Sequence, residues 1–333
     1  MKTQLSYLES KECVILSEAG SQIGFGHLTR CTALADSLCE LGCKVHQVLL
    51  ENGFEPEEAW KTMPWITAPS EVIRRYPKAN VVIIDSYLAT PSLYSYFQCQ
   101  GKMVVAIDDF NRIVYPANLI INPNVFFPQI NYSNQSAKTV GGRDYVILRK
   151  PFRKELSHRE GLEHPIKILV TLGGSDFRQL LPTVVQVVGE LKFLPVTVIS
   201  PEGYEKRLGN ERVIFLKQQN ADQMLQNMMD ADIVISACGQ TLHELAALGK
   251  ATVGICLDID QIPNQKFYLQ EGFLAAELQW DQFNLKEELF KAVSYFFPEE
   301  HRVAMALLGP QLINKNGVTN VANLVNKAVL HAI

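Results

Sequence analysis

The sequence lacks a CxxC pair. Its seven cysteines (Cys13, Cys31, Cys39, Cys43, Cys99, Cys238, Cys256) form an odd set with neither a disulfide framework nor the ligand spacing of a structural zinc site, and they read as buried thiols. No apolar run approaches the ~20 residues that span a bilayer. Val81–Ile84 and Ile233–Ile235 are each bounded by Asp or Ser within a few positions, so no membrane span is expected. There is no block of like charges, and 31 basic against 35 acidic residues leave a net charge of −4, so nucleic acid is not an expected partner. The opening residues carry Lys2, Glu9, Lys11 and Glu12 between short apolar stretches and lack a signal-peptide core, so the protein is expected to stay in the cytoplasm. The histidines show neither H-E-x-x-H nor a His/Cys ligand spacing; no metal and no cofactor is expected.

What is present points to an ordinary globular chain. Hydrophobic residues make up 47% and charged residues 20%, and 20 Gly and 16 Pro are scattered without a period, which excludes disorder, collagen and coiled coil. At 333 residues the chain exceeds the ~250 to 300 at which one core stops growing, so two domains with a cleft are expected. Short apolar runs alternate with helical patterns throughout, the signature of βα units on a parallel sheet, so the fold class is α/β. Strands are expected at Cys13–Leu16, Val45–Leu49, Val81–Ile84, Met103–Ile107 and Leu119–Ile121 in the first half. In the second half they are expected at Ile166–Leu172, Val196–Ile199, Val213–Phe215, Ile233–Ser236 and Thr252–Ile255. The polar stretch Lys150–Pro165 reads as a linker or surface helix between domains spanning 1–155 and 156–333. By pattern alone the two halves fit a two-domain glycosyltransferase-like fold, a periplasmic-binding-type fold or a tandem dehydrogenase.

Several motifs carry chemistry. The loop Ser21-Gln-Ile-Gly-Phe-Gly-His-Leu-Thr-Arg30 follows the first strand and opens a helix. Gly24 and Gly26 let the backbone turn and approach a ligand, and the helix N-terminus favours an anion such as a diphosphate. The dinucleotide fingerprint needs a third Gly where this chain has Thr29, which argues against a nicotinamide or flavin site. His27 is a candidate general base, since an imidazole takes and gives a proton near neutral pH; capping of the helix is the alternative. A second Gly loop, Leu172-Gly173-Gly174-Ser175-Asp176, follows the first strand of the second half and reads either as a phosphate cradle or as a plain βα turn. Ser236 ends a strand that runs through Gly239 into a helix, with Thr241 as a candidate N-cap. On that helix Glu244 could hold a ribose diol or stand solvated. Asp85, Asp108 and Asp109 lie at strand ends, and two of them could act as an acid/base pair or hold a metal, or each could cap the next helix. Asn122 and Asn124 could offer amides to a polar sugar or simply shape a turn.

Taken in order, Gly-Phe-Gly-His-Leu-Thr-Arg, Ile-Ile-Asp-Ser-Tyr, Ile-Asp-Asp-Phe, Asn-Pro-Asn, Leu-Gly-Gly-Ser-Asp and the Glu244 helix resemble the PseG family over nearly the whole chain. That family comprises UDP-2,4-diacetamido-2,4,6-trideoxy-β-L-altropyranose hydrolases of pseudaminic acid biosynthesis. The resemblance implies a GT-B fold similar to MurG, two Rossmann-like domains facing each other across a cleft, with the last helix, Val318–Ile333, returning to the first domain. It implies a UDP-sugar substrate, inversion at C1 and His27 as catalytic base. Gly24, Gly26, Arg30, Asp85, Tyr87, Asp109, Asn122 and Asn124 would then line the sugar side. Gly173, Gly174, Ser175, Asp176, Ser236, Gly239, Thr241, Glu244 and Gln261 would bind UDP. The chain departs from the family pattern at Ser86, at Asp260 and in Asn314–Asn320, where the family's closing Arg is absent. A MurG-like glycosyltransferase or a catalytically silent nucleotide-sugar binder are the alternatives.

Overall fold

A computed structural model describes residues 12–20, 24–52, 59–154, 166–173, 176, 178–191, 194–200 and 213–330. The chain divides into two compact units: residues up to Arg149 together with those from Lys315 onward, and Lys150–Asn314. The expected boundary at 155/156 falls outside the described residues. Lys150–Arg153 forms a single 3-10 turn with Pro151 and Phe152 buried, so the second unit begins with packed chain before the polar stretch.

The first unit is built on strands β1 (Glu12–Ser17), β2 (Lys44–Leu50), β3 (Trp60–Met63), β4 (Ala79–Asp85), β5 (Met103–Ile107), β6 (Leu119–Asn122) and β7 (Lys138–Gly141). They form one parallel sheet in the order β3-β2-β1-β4-β5-β6-β7. The order reverses between β1 and β4, which places a crevice beyond their carboxyl ends, the usual ligand position in such sheets. Helices α1 (Gly26–Glu40), α2 (Pro69–Arg75) and α3 (Pro91–Cys99) connect the strands.

Alternation along β1 builds both faces of the core. Cys13 and Ile15 pack with Leu34 and Leu38 of α1, whereas Val14 and Leu16 pack with Trp65, Tyr94 and Phe97 on the other side. A sheet covered on both faces needs strands that are apolar throughout, which is why the central strands read as continuous hydrophobic runs. Val318, Val321, Ala322 and Val325 of the last helix join the same cluster as α1.

In the second unit, strands β8 (Ile168–Thr171), β9 (Val196–Ile199), β10 (Val213–Leu216), β11 (Ile233–Ala237), β12 (Ala251–Cys256) and β13 (Leu278–Gln279) lie parallel in the order β10-β9-β8-β11-β12-β13. The order again reverses once, between β8 and β11. The helices are α4 (Leu181–Glu190), α5 (Ala221–Asp230), α6 (Gln240–Ala247), α7 (Ile262–Gln270), α8 (Leu285–Tyr295) and α9 (Glu299–Leu312), and α10 (Gly317–Leu330) lies back in the first unit. Asn220 and Gln223 close a reciprocal capping box on α5.

Three strands, β3, β7 and β13, go unread in the sequence, and all three are sheet edges. An edge strand has a neighbour on one side only, and the Trp-Lys-Thr-Met and Lys-Thr-Val-Gly segments carry no apolar run to betray it. The thiols also need correction: Cys39 and Cys99 are exposed and Cys43 is half-buried, while Cys13, Cys31, Cys238 and Cys256 are buried. Cys39 lies beside the buried stripe of α1 instead of on it, and Cys99 ends α3 beyond its packed residues.

Candidate active site

The site grows from the carboxyl ends of β1, β4, β5 and β6. Ser17 pairs with Asp85 across β1 and β4, so the next residues, Glu18 and Ser86, emerge side by side. The loop after β1 is pinched by two backbone hydrogen bonds between Gly20 and Gly24, at 3.2 and 2.7 Å. Gly24 has φ +83°, a conformation that penalises any Cβ, although no atom lies within 4 Å of where that Cβ would stand. Residues 21–23 lie outside the described residues.

Helix α1 then opens with Phe25 at its N-cap and no side-chain cap, so His27, in the second helical position, is not a capping residue. His27, Arg30, Leu34 and Leu38 follow one another at helical spacing on the buried face. The first two turns of an ordinary core stripe are thus occupied by an imidazole and a guanidinium.

Arg30 is 8% exposed and bridges two acids. Its Nε and Nη2 donate to Asp85 at 2.7 and 2.6 Å, and its Nη1 and Nη2 donate to Asp109 at 2.7 and 3.0 Å. The planar fork suits this double bidentate grip, which a lysine could not reproduce. Asp109 also accepts from Tyr87 Oη and Asn124 Nδ2, each at 2.6 Å. Burial pushes the Asp109 carboxyl up, but the charge and hydrogen bonds of Arg30 outweigh it, and the carboxyl sits well below the usual range. Burial likewise works against the Arg30 cation, yet Asp109 and Asp85 hold it firmly charged.

His27 lies between two further carboxylate contacts. Its Nδ1 is 3.6 Å from Glu18 Oε1 and its Nε2 is 3.9 Å from Asp85 Oδ1, while the Tyr87 ring meets it edge-on at 4.6 Å. Glu18, absent from the sequence-based candidates, is fully buried and accepts from Ser86 Oγ at 2.6 Å and from the Tyr87 backbone at 2.8 Å. The signal for it in the sequence is its position one residue beyond β1, matching Asp85 and Asp108 at the ends of β4 and β5. Around the imidazole stand Glu18 and Asp85, with Asp109 and the buried Arg30 cation behind Asp85.

The remaining acids and amides brace this arrangement. Asp108 accepts from Tyr115 Oη, Tyr132 Oη and the backbone of Asn111 and Arg112, so it ties the Asn111–Tyr115 loop and Tyr132 to the end of β5. Asn122 is fully buried, donates to the Asp109 carbonyl at 2.9 Å and accepts from the Asn124 backbone at 2.9 Å. The structure therefore brings the expected base His27 together with Arg30, Asp85, Tyr87 and Asp109 of the expected sugar side, with Asn122 and Asn124 hydrogen-bonded to Asp109. Tyr87, 37% exposed, presents the most open surface of the group. Among the described residues, no three His, Cys, Asp or Glu side chains converge as a metal set.

In the second unit, Gly173 has φ +96° and open space around its missing Cβ, while Gly174 and Ser175 lie outside the described residues. The Asp176 oxygens accept from the backbone of Leu180 and Leu181 at 2.9 and 3.0 Å, at the start of α4. Gly239, and not Thr241, is the N-cap of α6, because the helix begins at Gln240 and Thr241 already lies in its first turn. A Cβ on Gly239 would lie 3.7 Å from Gln261 Nε2, so these two expected nucleotide residues are neighbours. Glu244 is fully buried one turn into α6, which excludes a solvated helix carboxylate. Ser236 is also fully buried, with its hydroxyl turned to the Ala237 carbonyl.

Two parallel α/β units with this strand order define the GT-B fold of glycosyltransferases. MurG of Acinetobacter baumannii superposes with a TM-score of 0.64 at 18% identity, over 95% of this chain and 99% of that one. The UDP co-structure of Staphylococcus aureus MnaA gives 0.65 at 12% identity, over 97% and 98%. Residues 167–316 match the glycosyltransferase family 28 C-terminal domain. In sequence the chain is 24% identical to the spore coat polysaccharide biosynthesis protein SpsG of Bacillus subtilis, over 75% of this chain and 78% of that protein. It is 25% identical to an uncharacterized protein of Methanocaldococcus jannaschii, over 71% of this chain but only 53% of that longer protein.

Proposed function

We propose that this protein breaks the C1–O bond of a UDP-linked sugar, with His27 as the general base that activates the incoming hydroxyl. The observation that carries the reading is the buried imidazole set between Glu18 and Asp85 at the carboxyl end of the first sheet, in a chain with a GT-B fold. With water as the nucleophile the protein is a hydrolase. His27 takes the water proton, oxygen bonds to C1 opposite the nucleotide, and the C1–O electron pair leaves on the diphosphate, inverting the anomeric centre. The motif resemblance supports water and a 2,4-diacetamido-2,4,6-trideoxy sugar, with the product entering nonulosonic acid synthesis.

UDP is already a good leaving group, so positioning and charge stabilisation suffice and no acid is required on the nucleotide side. In this reading the Gly173 loop and the N-terminus of α6 at Gly239 meet the diphosphate, where a helix contributes roughly half a positive charge. Glu244 holds the ribose hydroxyls and Gln261 lies beside them. MnaA was solved with UDP, which supports the choice of nucleotide.

A second reading has its own support. The match of residues 167–316 to the glycosyltransferase family 28 C-terminal domain favours glycosyl transfer, in which the same base acts on an acceptor hydroxyl.

Both readings are tested by NMR of the protein with UDP-2,4-diacetamido-2,4,6-trideoxy-β-L-altropyranose, following UDP and the free sugar anomer, with UDP-GlcNAc as control. Release of inverted free sugar without acceptor is the expected result; UDP release only on adding an acceptor makes the protein a transferase. His27→Ala should lower kcat ~10²- to 10⁴-fold with UDP affinity nearly intact, and unchanged turnover refutes the base assignment.

A further inference from the structure

We infer that Glu18 is the positioning carboxylate of His27: it holds the ring proton on Nδ1 and so leaves Nε2 as the basic nitrogen. The inference rests on the reading of His27 as the base.

Three observations meet here. First, His27 Nδ1 is shielded from water and has no hydrogen-bond partner among the described residues, and buried ring nitrogens are normally paired. Second, the carboxylate oxygen facing Nδ1 is Glu18 Oε1 at 3.6 Å, close enough for its negative charge to favour the ring proton on that nitrogen before any substrate binds. Third, Glu18 is itself fixed. Ser86 Oγ occupies Oε2 and the Tyr87 backbone occupies one lone pair of Oε1, which leaves a second lone pair on Oε1 for Nδ1–H.

Asp85 does not compete for this role. Its two oxygens already accept from Arg30 Nε and Nη2, with the Cys31 thiol adding a third contact at 3.2 Å, and it stands 3.9 Å from the other ring nitrogen. A carboxylate on Nδ1 fixes the tautomer and stabilises the imidazolium that forms when Nε2 takes a proton.

The test separates this role from a merely structural one. In Glu18→Gln the Oε1 carbonyl can keep the Tyr87 amide while the charge is removed, so the fold should persist, as a thermal melt will check. kcat should fall ~10²-fold or more while KM stays within about 3-fold, because ground-state binding is untouched. An unchanged kcat, or a loss confined to KM, overturns the inference. Nitrogen-15 spectra of labelled histidine, recorded without substrate, give a readout independent of any activity. The wild type should show His27 protonated on Nδ1, and Glu18→Leu should move the proton to Nε2. A wild-type ring protonated on Nε2, or an unaltered tautomer in Glu18→Leu, overturns it. Because this measurement needs no nucleotide sugar, it stands or falls apart from the assignment of His27 as base.

Discussion

Replacing Arg30 by methionine removes four hydrogen bonds and the buried positive charge between Asp85 and Asp109. Methionine roughly fills the space of the arginine stem, so the loss is electrostatic rather than a matter of packing. The two carboxylates, 1% and 4% exposed, are left facing each other without a counter-charge. Breaking a buried ion pair in this way costs about 3–5 kcal/mol, a large share of the ~5–15 kcal/mol that holds a domain folded. At roughly 2–4 °C per kcal/mol for a domain of this size, Tm should fall by about 6–20 °C. The acids can relieve their repulsion by taking up a proton, so the deficit should be greatest near pH 8 and should narrow toward pH 5. Arg30→Lys keeps the charge but loses the planar fork, and its melting point should lie between the two. Thermal melts followed by circular dichroism at both pH values measure this. A drop below ~2 °C at pH 8, or a gap that fails to narrow at pH 5, refutes the bridging role.

Asp109 gives a complementary acid limit. Its carboxyl is held well below the usual range in the folded state, so its stabilisation is complete above the unfolded value near ~4 and is lost as pH falls below it. Urea midpoints between pH 5 and 2 should drop less steeply in Asp109→Asn than in the wild type. Gly317→Ala should destabilise the first unit by about 1–3 kcal/mol, because its Cβ would collide with the Val146 backbone oxygen, whereas Gly26→Ala, with open space, should leave Tm nearly unchanged. In the native protein a thiol reagent should label Cys39 and Cys99 readily; Cys31 and Cys238, their thiols pushed up by burial, should react only on unfolding.

Much of this molecule is legible in local pattern. The central strands announce themselves because a parallel sheet buried on both faces must be apolar without interruption. The Gly24 turn and the stripe of Leu34 and Leu38 on α1 follow from backbone freedom and helical period, and strand-end acids such as Asp85 and Asp109 stand out against the apolar runs before them. The edge strands β3, β7 and β13 escape because each pairs with a single strand among the described residues and carries no long apolar run. Glu18 escapes because it is recognisable only once Ser86, Tyr87 and His27 are beside it. That Asn122 and Asn124 both hold Asp109 is visible only in the structure.

Local pattern was enough for the α/β class, the position of the loops at strand ends and the residue types that could carry proton transfer, since each depends on neighbours only a few positions away. Tertiary structure alone decided which of those residues meet. Arg30 reaches Asp85 across 55 residues and Asp109 across 79. Those partners are set by the placement of β1 between β2 and β4, a long-range pairing that no local period encodes. The same placement sets Glu18 beside His27 and thereby gives the imidazole its orienting carboxylate.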